Sequence, residues 1–261
     1  MQNNYLMAIL LLILPLHNAI AETAEEKGLA IAVEADERDL GWIDQTADLE
    51  MVLTNKHGQS SSRTMAFKAL EVEGDGDKRL TIFDNPRDIK GTAFLSHTHA
   101  LKPDDQWLYL PALKRVKRIA SANKSGPFVG SEFAYEDLAS QEVEKYRYKW
   151  LRDETLDGHE VFVIESYPQY KNSGYTRLIS WIDKDLYKAH KTEFYDRKNT
   201  LLKTLVFTEY NQYLEKYWRP GKMAMENHQT GKKTDLIWKN FQFKNGLGDR
   251  DFDRNSLKRA R

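Results

Sequence analysis

The amino-acid sequence predicts a mainly β protein of the α+β class: one large antiparallel sheet in a single domain, curling towards a barrel. Three observations carry this. Short apolar runs recur at regular spacing between residues 49 and 243, separated by polar tips. Several of them, residues 107–110, 161–164 and 201–207, are apolar at both parities, as strands covered on both sides are. That pattern suits an ordinary double-sided core as well as the wall of a cavity. No linker, low-complexity tract or repeat divides the 261 residues, of which 41% are hydrophobic.

At the N-terminus, residues 6–14 form an apolar run of the length of a signal-peptide core, too short to span a bilayer. Pro15 ends it, and Ala19-Ile20-Ala21 is a small-x-small cleavage site before Glu22, although no Lys or Arg precedes the run. Residues 1–21 are therefore expected to be a signal peptide cleaved after Ala21, leaving a periplasmic domain over 22–261. Residues 22–40 carry Leu29, Ala30, Val33 and Leu40 near helical spacing, with Gly41 to close the helix.

Strands follow. Residues 49–53 and 65–69 flank the tip His57-Gly58-Gln59-Ser60. Gly74-Asp75-Gly76-Asp77 turns the chain into residues 80–83, and Asn85-Pro86-Arg87 breaks the pattern before residues 91–99. In residues 107–110, Trp107 and Tyr109 alternate with Leu108 and Leu110, and Pro111 ends the run. Lys114, Arg115, Lys117 and Arg118 then cluster around Val116. Residues 121–130, rich in Ser, Asn and Gly, read as a mobile loop suited to be a lid or an ordinary crossover. A short helix is expected over 136–143. Hairpins then run 146–151 with 160–166 about Asp157-Gly158, and 176–182 with 187–195 about Asp183-Lys184-Asp185. Residues 201–213 follow, and the last pair is 217–226 with 234–243. A helical turn is expected over 251–257.

The W-L-Y-x-P block at Trp107, the basic run ending in Ile119 and the block G-S-E-F-x-Y-E-D-L at Gly130 together resemble the outer membrane lipoprotein-sorting protein family, related to the carrier LolA and the receptor LolB. The S-W-I-D-K-D turn, the F-Y-D-R-K-N-T-L-L-K hairpin and the closing D-F-x-x-x-x-L are similar to LolA-type sheets, so the likeness spans most of the mature chain. It implies an unclosed β-barrel with helices across its open side, an apolar cavity for lipid or lipoprotein acyl chains, and an RND-type inner-membrane transporter as partner. Cavity-lining candidates, on an assumed strand parity, are Met51, Leu53, Met65, Phe67, Trp107, Tyr109, Phe162 and Trp181. Met and aromatic groups suit flexible chains because they ask for no hydrogen bonds.

Charge and chemistry narrow the alternatives. Thirty-nine basic and 39 acidic residues cancel, so no global field draws the protein to nucleic acid. With no cysteine there is no disulfide, thiolate site or N-terminal lipid anchor. Lys114, Arg115, Lys117 and Arg118 read as a solvated face, or as a patch for an acidic partner or lipid head groups. Ser96-His97-Thr98-His99 places two imidazoles at i and i+2 near Asp104 and Asp105, but assigns no third ligand. Gly130-Ser131-Glu132 lacks the second glycine of a nucleophile elbow, and no spacing singles out His159 or His190 as a base. The expectation is a monomeric, non-enzymatic carrier that needs no metal or other cofactor. The alternatives are a metal-dependent envelope hydrolase using His97 and His99, or a structural adaptor of an export complex.

Overall fold

The computed structural model of the protein describes residues 22–259. The expected signal peptide, residues 1–21, lies outside the described residues. After helix α1 (Ala24–Glu37) come β1 (Asp44–Thr54), β2 (Ser60–Leu70), β3 (Lys78–Asn85), β4 (Ala93–His97), β5 (Asp105–Leu110) and β6 (Arg115–Ile119). The second half holds β7 (Tyr146–Leu156), β8 (His159–Pro168), β9 (Tyr175–Asp183), β10 (Ala189–Asp196), β11 (Leu201–Tyr213), β12 (Tyr217–Asn227) and β13 (Lys233–Phe243), then the short helix α2 (Ser256–Arg259).

All thirteen strands of the described residues join one antiparallel sheet in the order β6-β5-β4-β3-β2-β1-β13-β12-β11-β10-β9-β8-β7. Sequence neighbours pair through hairpins, and β1 closes on β13 with Met51 opposite Leu236. β6 and β7 are left as the two edges. Leu108 on β5 and Leu178 on β9 nevertheless share one buried cluster, nine strand positions apart. At about 4.8 Å per strand a flat sheet would hold them roughly 40 Å apart, so the sheet must curl. It curls without closing.

The inner face carries Leu49, Met51, Met65, Phe83, Phe94, Phe194, Leu205, Met225 and Leu236 from strands on both sides of the curl. The outer face is covered locally. Phe252 and Leu257, both fully buried, lie on Leu80, Ala93 and Leu95. Asp44 holds that tail in place by accepting from the amides of Asn245, Gly246 and Leu247. The closing D-F-x-x-x-x-L is thus an apolar clip.

α1 starts at Thr23, whose hydroxyl accepts from the Glu26 amide while Glu26 reaches back, a capping box. The helix packs along the edge strand β7. A side chain at Gly28 would lie 2.6 Å from the backbone nitrogen of Trp150, so only glycine permits this approach. α2 packs on the outer face against β4 and β5.

What runs from edge strand β6 to edge strand β7 is a strap, residues 120–145, in short 3-10 turns rather than the single helix expected over 136–143. Residues 121–130, expected to be a mobile loop serving as a lid or a crossover, form the first part of this strap, and Phe128 packs into the core. Phe128 and Phe133 on the strap are 2% and 1% exposed and complete the inner core. The Phe128 amide donates to Phe133 O at 2.7 Å, and the Glu136 amide to Lys124 O at 2.9 Å. The Gly, Ser and Asn content signals irregular backbone; the two phenylalanines decide that it is anchored. β6 also differs from expectation. Its cations read as a solvated run, yet residues 115–119 pair with β5, Tyr109 opposite Val116. Exposed charge on an edge strand is what keeps that edge from pairing with another chain.

Candidate functional site

The G-S-E-F-x-Y-E-D-L block stitches the strap to the sheet. The Glu132 amide donates to Thr234 Oγ1 on β13, and its carboxylate accepts from Asn227 Nδ2 on β12 at 2.7 Å. The Asp137 carboxylate accepts from Tyr175 Oη on β9 and Lys203 Nζ on β11. Glu136 accepts from the Gly174 amide and the Ser173 hydroxyl. These acidic residues position the strap.

With the strap fixed, a cavity of about 520 Å³ remains between α1, residues 71–79 at the β2–β3 turn, residues 140–144 of the strap and the inner face of β7 to β11, and about half of its lining is polar or charged. Its apolar floor is Ile31, Tyr148, Ile164 and Ile182, which pack as one cluster. Its rim is acidic: Asp36, Asp77 and Glu142 all border it. Burial raises the pKa of each, and mutual repulsion adds to it, so that Glu142 titrates at about 7. Arg79 beside Asp77, at 3.4 Å, works against this rise.

A second opening of about 410 Å³ lies at the seam between the two sheet edges, where Leu101 stands 89% exposed. A buried ion pair, Lys145 Nζ with Asp104 Oδ1, clasps the seam from opposite sides. Lys124 Nζ sits 3.6 Å above the Tyr170 ring, and burial lowers its pKa.

The eight cavity-lining candidates separate. Met51, Leu53 and Met65 meet on the inner face, in or against the main cluster. Phe67 lies on the same face but packs with Trp42, Ala47 and Tyr217, its ring edge-on to Trp238 at 5.0 Å. Phe162 belongs to the cluster under α1. Trp107 and Tyr109 face outward, under the C-terminal clip, and Trp181 faces outward beside Val161 and Val163. Their assumed parity is off by one residue, which in a strand means the opposite face. None of the eight is among the walls of the 520 Å³ cavity. Ile164, two residues from Phe162 on the same face, and Ile182, the alternate of Trp181, are; the two-sided apolar run of β9 could not choose between the parities.

Lys114, Arg115, Lys117 and Arg118 are exposed together on and beside β6. Arg118 pairs with Asp105. The two histidines of the S-H-T-H segment do not converge. His97 Nε2 is 2.7 Å from Phe252 O, while His99 lies between Asp75 at 2.8 Å and Asp105 at 3.5 Å. Asp75 is held at a pKa of about 2; burial opposes this, but His99 and the Ala100 and Gly76 amides outweigh it. His97 thus fastens β4 to the tail, and His99 joins the turn before β3 to the start of β5.

A family model described as "Uncharacterized protein" matches residues 75–259. Among curated proteins none matches. The crystal structure of a domain described as an outer membrane lipoprotein-sorting protein from Vibrio parahaemolyticus is 61% identical, with a TM-score of 0.88 over 90% of this chain and 99% of that one. A DUF1329 family protein from Desulfovibrio piger is 27% identical, with a TM-score of 0.85 over 90% and 99% of the two chains. A LolA superfamily protein from Nitrosomonas europaea shares the fold, at 20% identity and a TM-score of 0.69 over 90% and 100%.

Proposed function

The chain belongs to the outer membrane lipoprotein-sorting protein family of the LolA-like superfamily, and from that premise we propose that it is a non-enzymatic periplasmic carrier of acyl chains. It is exported, cleaved after Ala21, and works as a monomer. The cargo is a lipid or the acyl chains of a lipoprotein, received from or handed to an RND-type inner-membrane transporter. The exposed cations Lys114, Arg115, Lys117 and Arg118 on the β6 edge are the seat for an acidic partner or for head groups.

The observation that carries this reading is the cavity between α1 and the inner face. Its 520 Å³ lies within the range of about 300–1,000 Å³ typical of small-molecule sites, and its floor is aliphatic and aromatic. About ten buried methylenes contribute roughly 8 kcal/mol before ordering costs, enough for binding without any catalytic group. The lining carries seven carboxyl groups against two cations, Arg79 and Lys188, so an anionic head group is disfavoured there even with Glu142 partly protonated. Met51, Leu53 and Met65 lie deeper on the same face and extend the apolar lining if Phe128 yields to a longer chain.

Native mass spectrometry of protein purified from the periplasm, and of delipidated protein after incubation with phospholipid vesicles, tests the proposal. Lipid adducts are expected in at least one preparation. Ile182→Trp, which fills the floor, is expected to cut their occupancy several-fold with an unchanged circular dichroism spectrum. Absence of adducts from both preparations would overturn the reading.

A further inference from the structure

Away from the cavity, three side chains that no part of the proposed carriage uses converge on one point. They are His159 at the start of β8, Asp183 at the end of β9 and His190 near the start of β10. His190 Nε2 lies 2.8 Å, and His159 Nδ1 3.2 Å, from the same oxygen, Asp183 Oδ2. The two imidazoles lie against each other with ring centroids 4.3 Å apart. One ligand atom from each of the three falls within 4.8 Å of the others.

Three lone-pair-bearing atoms aimed at one point repel unless a proton or a cation stands between them. Asp183 is prepared for the latter. Its Oδ1 is taken by the amides of Asp185 and Leu186, both at 2.8 Å, which fixes the carboxylate plane and leaves Oδ2 free to face the histidines. Two imidazole nitrogens and a carboxylate oxygen form the donor set zinc takes, with bonds of about 2.0–2.2 Å and neighbouring ligand atoms about 3.4 Å apart. Each donor reaches that arrangement by moving less than about 1 Å. His159 is half-exposed on the solvent side, which leaves a fourth position for water.

We propose that His159, Asp183 and His190 bind one zinc ion. The ion would tie together three consecutive strands at the rim of the sheet. It would also brace the β9–β10 hairpin, whose Tyr187, Lys188 and Ala189 form part of the cavity wall and whose Asp185 carbonyl accepts from Arg38 just after α1.

Tag-free full-length protein, stripped with chelator, is titrated with Zn²⁺ by calorimetry, and its Co²⁺ form is examined by visible absorption. The expected result is one equivalent of saturable binding, with Co²⁺ bands of tetrahedral intensity. His159→Ala and His190→Ala should each weaken binding by more than about tenfold, since even the outer partners of metal ligands are worth ten- to a hundredfold. Asp183→Asn, which keeps the acceptor for the two amides, should do the same without unfolding the hairpin, and His97→Ala should change nothing. Zinc should also slow amide exchange across residues 184–189. Binding that does not saturate at one equivalent, or that survives His190→Ala and Asp183→Asn in folded protein, would overturn the assignment.

Discussion

The ammonium of Lys203 on β11 and the carboxylate of Asp137 on the strap lie 2.6 Å apart, with side chains only 4% and 5% exposed. The carboxylate also accepts from Tyr175 Oη and the Ala134 amide, and the ammonium donates to Glu132 O. A buried pair this fully satisfied adds little net stability against an apolar replacement, but losing one partner strands a charge. Asp137→Ala and Lys203→Ala are each expected to cost about 3–5 kcal/mol in urea unfolding. The double variant should cost clearly less than the two together, because it leaves no unpaired charge. Additive costs would show that the pair does not act as a unit.

The strap is expected to behave as core. Phe128→Ala removes a ring in contact with Phe83, Phe94 and Tyr135 and should cost about 3–5 kcal/mol. In native-state hydrogen exchange the amides of Phe128, Tyr135 and Glu136 should be protected nearly as well as those of β2. Exchange there at the rate of an open loop would restore the lid.

The contribution of the cavity carboxyls to stability should fall as pH rises through the window from about 4.5 to 7. A carboxyl whose pKa is higher in the folded state holds its proton there after the unfolded chain has released it. Glu142, raised from 4.5 to about 7, therefore favours the folded form fully below 4.5 and loses that advantage by pH 7; Asp36 and Asp77 act in the same sense. Glu142→Gln should flatten the slope and, at pH 8, stabilise the protein by about 1 kcal/mol, a value reduced for partial solvent screening. A thermal-melt series from pH 4 to 8 reads both effects.

Phe67→Glu separates a packed core from a cavity wall. Phe67 is buried among Trp42, Trp238 and Tyr217, so a carboxylate there has neither water nor a partner. Loss of the cooperative unfolding transition is expected. A folded Phe67→Glu protein with reduced lipid binding would instead make Phe67 part of the binding surface.

Most strands and the first helix were legible in the residues alone, though β6 and the 3-10 turns of the strap were not. Alternation, Asp157-Gly158 and the other turn tips specify where the hairpin strands lie, and apolar residues near helical spacing mark the helix. These signals act within a few residues. The motif blocks identified the family for the same reason: each carries local geometry, as when Ser131 accepts from the Phe133 amide two residues on. Tertiary structure alone decided which face each strand turns inward. Trp107 and Leu108 are both apolar, and only the tail lying on one side and the strap on the other sends the tryptophan out and the leucine in. It alone decided that the Gly- and Ser-rich strap is core, because Phe128 finds partners on β3 and β4, far away in the chain, as well as Tyr135 on the strap itself. It also brought His159, Asp183 and His190 to one point. Their spacings of 24 and 7 residues encode nothing until three antiparallel strands, in register, set them side by side.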